Sequence, residues 1–131
     1  MKINILLPCF FAVLFFACSK KEVMEESISF EEPARMQVQV QRCLDAACTQ
    51  LEQVPGASVF VFEHEHYRSQ GSPIAAEGTT DGGGTHTFGN LTAAEHWLTV
   101  KMPQPDGRSK LAYAKTPLRT TSYVNVVFKK Q

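Results

Sequence analysis

From Met36 onward the chain alternates apolar and polar residues in short runs, and glycine, proline or aspartate interrupts the runs. Met36-Gln37-Val38-Gln39-Val40-Gln41-Arg42 shows the pattern most cleanly. Successive side chains of a strand point to opposite faces, so this run buries one face and wets the other. Val54-Pro55-Gly56 punctuates the entry to Ala57-Ser58-Val59-Phe60-Val61-Phe62, which sets Val59 and Val61 towards a core. Ile74 to Thr80 is a weaker strand. Asp81-Gly82-Gly83-Gly84 is a turn, because glycine supplies the positive φ that tight hairpins need. Thr85 to Phe88 is a brief strand, and His96 to Met102 sets Leu98, Val100 and Met102 on one face. After the break at Pro103 to Gly107, Leu111 to Lys115 and Tyr123 to Phe128 are the last strands. About seven strands at this spacing predict an all-β fold, an antiparallel seven-stranded sandwich.

The other end of the chain has a different character. Lys2 precedes an apolar run from Ile5 to Phe16, and Ala17-Cys18 then gives way to Ser19-Lys20-Lys21-Glu22. A spanning helix needs about 20 apolar residues, so the run has the proportions of a secretory signal instead. The junction Phe15-Phe16-Ala17-Cys18 resembles the lipobox of bacterial lipoproteins, with Phe15 and Phe16 in place of the usual leucine and small residue. The resemblance implies a signal peptide over 1–17, diacylglycerol on the Cys18 thiol and cleavage just before it. Each buried methylene of such an anchor contributes about 0.8 kcal/mol, so two or three acyl chains such as palmitate hold a protein at a bilayer. The rival is ordinary cleavage after Ser19, which yields a soluble periplasmic protein. Residues 18–35 are charged and aperiodic, and read as the lipidated cysteine followed by a flexible tether. The domain proper is 36–131. The expected location is the bacterial outer membrane, on its periplasmic or surface face, with the membrane as partner through the lipid.

Export makes disulfides possible. With Cys9 in the signal and Cys18 at the anchor, Cys43 and Cys48 remain as an even pair. Leu44 to Ala47 forms a short connection that lets the two face each other across a hairpin, within bridging distance. A helix is the competing reading, because Cys43, Ala47, Leu51 and Val54 share a helical face and the two thiols would then point apart. The disulfide is preferred.

Pro55-Gly56-Ala57-x-Val59-x-Val61, Thr80-Asp81-x-x-Gly84-x-x-x-Phe88-x-x-Leu91 and Trp97-Leu98-Thr99-Val100 resemble the transthyretin-like (prealbumin-like, carboxypeptidase-regulatory-like) domains common in bacterial surface lipoproteins. That resemblance covers roughly Val38 to Phe128 and implies a transthyretin/Ig-like sandwich, with Phe88 and Leu91 sealing the open end of the core. Members of this group commonly serve as non-catalytic binding or scaffolding modules. Hydrolases of this fold end in Tyr-Arg-Gly-Ser, whereas this chain ends Val127-Phe128-Lys129-Lys130-Gln131. Isopeptide-forming pilin domains pair a first-strand lysine with a last-strand asparagine; Asn125 is available, but Met36 to Cys43 holds no lysine. No enzyme activity and no cofactor are expected.

Two local features suggest sites. In Glu63-His64-Glu65-His66, an extended backbone would set His64 and His66 on one face, where two imidazoles bind zinc or copper if His86 or His96 supplies a third ligand. A solvated strand end is the plainer account of this segment. Phe60 and Phe62 lie opposite the inward valines and, with Trp97, form a possible partner surface unless the cysteine hairpin or Gln70 to Pro73 covers them. The overall expectation is a lipid-anchored, non-enzymatic envelope module for an unknown protein or glycan partner. A periplasmic metal-binding protein using His64 and His66 is the alternative. With 13 basic and 13 acidic residues, nothing suggests a nucleic-acid partner. The basic groups after Asp106 read as solvated outward positions, balanced by acids across the sheet.

Overall fold

The computed structural model describes residues 32–131; the signal segment, Cys18 and nearly all of the tether lie outside them. Eight strands and one short helix follow in order: β1 Ala34–Cys43, β2 Leu51–Gln53, β3 Ser58–Phe62, α1 Glu65–Gln70, β4 Ala76–Thr79, β5 Thr85–Leu91, β6 Glu95–Lys101, β7 Ser109–Lys115 and β8 Thr121–Phe128. They make two four-stranded sheets packed face to face, the expected sandwich.

The alternation in β1 has the predicted outcome. Ala34, Met36, Val38 and Val40 are fully buried, and Gln37, Gln39 and Gln41 point outward. β1 is the centre of the first sheet. One of its edges pairs with β5 and then, past Val40, with β2. The handover occurs at Val40, whose N–H donates to Gly84 O (2.8 Å) and whose carbonyl accepts from Val54 N–H (3.0 Å). Gly84 sits at φ +77°, and a Cβ there would stand 2.8 Å from Val40 O, so both conformation and space demand glycine. The other edge of β1 pairs with β8 from Arg35↔Thr121 to Arg42↔Phe128, in parallel. This is the one non-antiparallel pairing among the described strands, and it joins the first strand to the last, a contact no local alternation encodes.

The second sheet runs β4-β3-β6-β7. Val59, Val61, Leu98 and Val100 are fully buried, and with the β1 set and Val124, Val126 and Phe128 they form the core. Phe88 and Leu91 close it, each only 5% exposed. Asp81 organises the preceding turn by accepting from Gly83 N–H (2.9 Å) and Thr85 N–H (3.1 Å), which holds its carboxyl below the usual range. The Thr80 hydroxyl accepts from Ala57 N–H (2.9 Å) and donates to Val54 O (2.6 Å), tying the Val-Pro-Gly turn to the end of β4.

Cys43 and Cys48 are bridged. Within the closed loop Asp45 accepts from the Thr49 hydroxyl and from Thr49 and Gln50 N–H, so local bonds shape the segment rather than a helix. The last two strands belong to different sheets. Side chains join them where backbone bonds do not: Lys110 Nζ donates to Val127 O (2.6 Å) and the Ser122 hydroxyl to Lys115 O (2.8 Å). Lys115 lies opposite Glu95 across the sheet, whereas Arg108 pairs with Asp106 two residues before it (2.8 Å).

Candidate functional site

The segment carrying the histidine pair is not a strand. His64 is the N-cap of α1, and His66 is in its first turn. Glu65 occupies the helix start and Arg68 its end, as the macrodipole favours. Gly71 at φ +80° closes it, donating to Tyr67 O (2.8 Å). Glu-His-Glu-His has no apolar residue to hold it against a sheet, so helix capping decides. Two positions apart on a helix, His64 and His66 face different directions, which removes the shared face on which the metal reading depended. His64 instead meets the Tyr67 ring edge-on at 4.7 Å. The suggested third ligands are engaged elsewhere. His86 stacks edge-on against Phe88 (4.5 Å) and rests over Gly78, while His96 is fully buried against Thr116. Among the described residues no three His, Cys, Asp or Glu side chains converge as a metal would require.

The aromatic surface divides into a covered and an open part. Phe62 is only 3% exposed. The element over it is α1, which packs on β3 and β6, and not the cysteine hairpin. Arg68 anchors the helix, its side chain 13% exposed and donating to Ala112 O on β7 (2.9 Å). Phe60 and Trp97 remain half-buried on the outer face. Beside α1 runs a groove of about 360 Å³, with Phe60, Phe62 and Ile74 as apolar lining, Thr99 on its floor, and Arg68 to Gly71 as a polar wall.

Strand register carries this surface further than the sequence reading did. Phe62, Trp97 and Tyr113 form one cross-strand row, and Phe60, Thr99 and Leu111 the next. Leu111 is 59% exposed and Tyr113 44%, which makes the edge strand the most open part of the patch. The Trp97 and Tyr113 rings lie 5.2 Å apart, and Tyr113 donates its hydroxyl to Glu95, which raises the phenol above its ordinary pKa. Glu77, Glu95, Lys101 and Lys115 surround the patch with charge. Leu111 and Tyr113 were missed because the run Leu-Ala-Tyr-Ala alternates large with small residues. The large residues look like core, yet Ala112 and Ala114 are the ones that pack against it.

No protein-family model and no curated protein sequence matches the chain. Among solved structures it is similar to GBS52, the minor pilin of Streptococcus agalactiae, at 14% identity and TM-score 0.59, over 77% of this chain and 46% of the pilin. The two share a β-sandwich fold. The shaft pilin SpaA of Lactobacillus rhamnosus GG matches the chain at 16% identity and TM-score 0.51, over 74% of this chain and 49% of SpaA. A candidate carbohydrate-binding protein of Pseudomonas aeruginosa matches at 10% identity and TM-score 0.53, over 74% of this chain and 89% of that protein. The chain thus spans about half the length of each pilin, and the likeness is one of fold. Asn125 is exposed beside Gln39 on the outward side, not in the core, and every inward position of β1 from Ala34 to Val40 is apolar.

Proposed function

We propose that this protein is a lipid-anchored, non-enzymatic binding module of the bacterial cell envelope, and that it holds a protein partner on the outer face of its β4-β3-β6-β7 sheet. The carrying observation is the strip Phe60, Trp97, Leu111 and Tyr113 left open beside α1, apolar at its centre and charged at its border. Protein interfaces share that anatomy, a desolvated aromatic and aliphatic centre inside a polar rim. The neighbours of like fold, two pilins and a candidate carbohydrate-binding protein, support a module that binds rather than catalyses. The Ala17-Cys18 junction after a short apolar run supports the anchor, and the outer membrane is the location proposed for it.

The test uses the intact acylated protein as bait in detergent-solubilised envelope. A partner captured by the native chain is expected to fall at least about tenfold with Leu111→Asp or Trp97→Ala, as for central interface residues. Equal capture by native and variant baits rejects the surface. Capture of polysaccharide alone at this strip would replace the protein with a glycan. Mass spectrometry of the mature N-terminus tests the anchor, which an unmodified Lys20 start excludes.

A further inference from the structure

The opposite side of the sandwich carries a second surface of different chemistry, and its argument does not rest on the strip just described. In β1, β5 and β8 the outward positions fall in register. Thr87, Gln37 and Tyr123 make one row; Thr85, Gln39 and Asn125 make the next. Gln41 continues the pattern between Gln53 and Val127. Every side chain in these rows is uncharged at neutral pH, in a chain whose residues are 20% charged. Of the outward positions of β1, Arg35, Gln37, Gln39 and Gln41, only Arg35 at the start of the strand is charged. Thr87, Tyr123 and Asn125 are exposed and Gln37, Gln39 and Gln41 half-buried, so among the described residues the face is open to solvent. Tyr123 in its midst is 74% exposed, the most open of the large hydrophobic side chains described.

We infer that this face binds a neutral, extended polysaccharide. Each glutamine or asparagine amide offers two donors and an acceptor, and each threonine hydroxyl offers both, so the rows match the mixed donor and acceptor character of sugar hydroxyls. Rows repeat every ~6.6–6.8 Å along the strands and side chains every ~4.8 Å across them, which presents a flat lattice suited to a chain and not a pocket suited to a small solute. Tyr123 adds an apolar ring for the C–H face of a sugar and a hydroxyl at its rim. Gln39 Nε2 already donates to Gln53 Oε1 (3.1 Å), so part of the amide array is ordered before any ligand arrives. Other occupants fit worse. An anionic polymer or nucleic acid needs lysine or arginine here. A second copy of the chain needs the more apolar centre typical of dimer interfaces, and Val127 and Tyr123 do not supply one.

Affinity electrophoresis of the full chain through gels containing soluble β-glucan, mannan or galactan tests this. At least one of these neutral polymers is expected to retard the native protein, and raising salt to about 0.5 M should leave that retardation unchanged, because no ion pair contributes. Tyr123→Ala, and separately Gln37→Ala with Gln39→Ala, should weaken retardation at least about tenfold, while Trp97→Ala on the opposite face leaves it intact. All these changes are outside the core, and the thermal midpoint of each variant reports that it is folded. Retardation by none of the three polymers overturns the inference. So does retardation that salt abolishes, or that the Tyr123 and glutamine variants retain in full.

Discussion

His96 Nδ1 lies 2.8 Å from Thr116 Oγ1, with both residues fully buried. The Thr116 hydroxyl donates its hydrogen to Ala93 O (2.9 Å), so towards His96 it accepts, which assigns the ring proton to Nδ1. Nε2 then carries a bare lone pair with no partner. Protonation there would put a charge and an unsatisfied N–H inside the sandwich. Burial accordingly pulls the His96 pKa below its ordinary 6.5, against a smaller opposing effect of Glu63.

This arrangement makes stability depend on pH. The unfolded chain takes up the His96 proton more readily than the folded one, so the contribution is whole above 6.5 and is lost as pH falls through the lower folded value. The hydrogen-bonded carboxylates Asp45, Asp81 and Asp106 act only below their ordinary 3.8. Urea midpoints measured between about pH 7 and pH 5 should therefore decline, and His96→Leu should flatten that decline whatever it does to the baseline.

The Cys43–Cys48 bridge closes a short loop at the edge of the first sheet. Replacing both cysteines with serine should lower unfolding free energy by about 2 kcal/mol, with the fold retained by circular dichroism. A reductant should shift the native protein by the same amount and leave the double variant unmoved.

His86 Nε2 stands 2.3 Å from where a Gly78 Cβ would be, across the gap between the edges of the two sheets. Phe88 packs edge-on against the same ring, 4.5 Å between centroids, so the imidazole cannot swing away without disturbing that contact. Gly78→Ala should cost about 1–3 kcal/mol as an overpacking change. Adding His86→Ala should recover much of that loss, so the two substitutions together cost less than their sum.

Gly84 faces a stricter demand, because Val40 O, Val54 N and the Gln53 Cβ all crowd the missing Cβ at a φ of +77°. Gly84→Ala should cost more than Gly78→Ala, and no single side-chain deletion should rescue it, since two of the three obstacles are backbone. Chemical denaturation of the two alanine variants side by side checks the order.

Alternation made much of this architecture readable. The inward sets of β1, β3 and β6, the Asp81 turn and the cysteine bridge all depend on neighbours within a few residues, and a strand's period of two assigns each side chain to a face whatever its partner is. The same logic placed Val59 and Val61 in the core and Phe60 outside it. It failed at His64 and His66, where capping by Gly71 outweighed a polar alternation with nothing to bury.

What tertiary structure alone decided are matters of partnership between distant segments. The parallel pairing of β1 with β8, the covering of Phe62 by α1, the exposure of Leu111 and Tyr113, and the enclosure of His96 each depend on which strand lies next to which. A period sorts side chains into two faces, but whether a face meets protein or water is settled only when the sheets have packed.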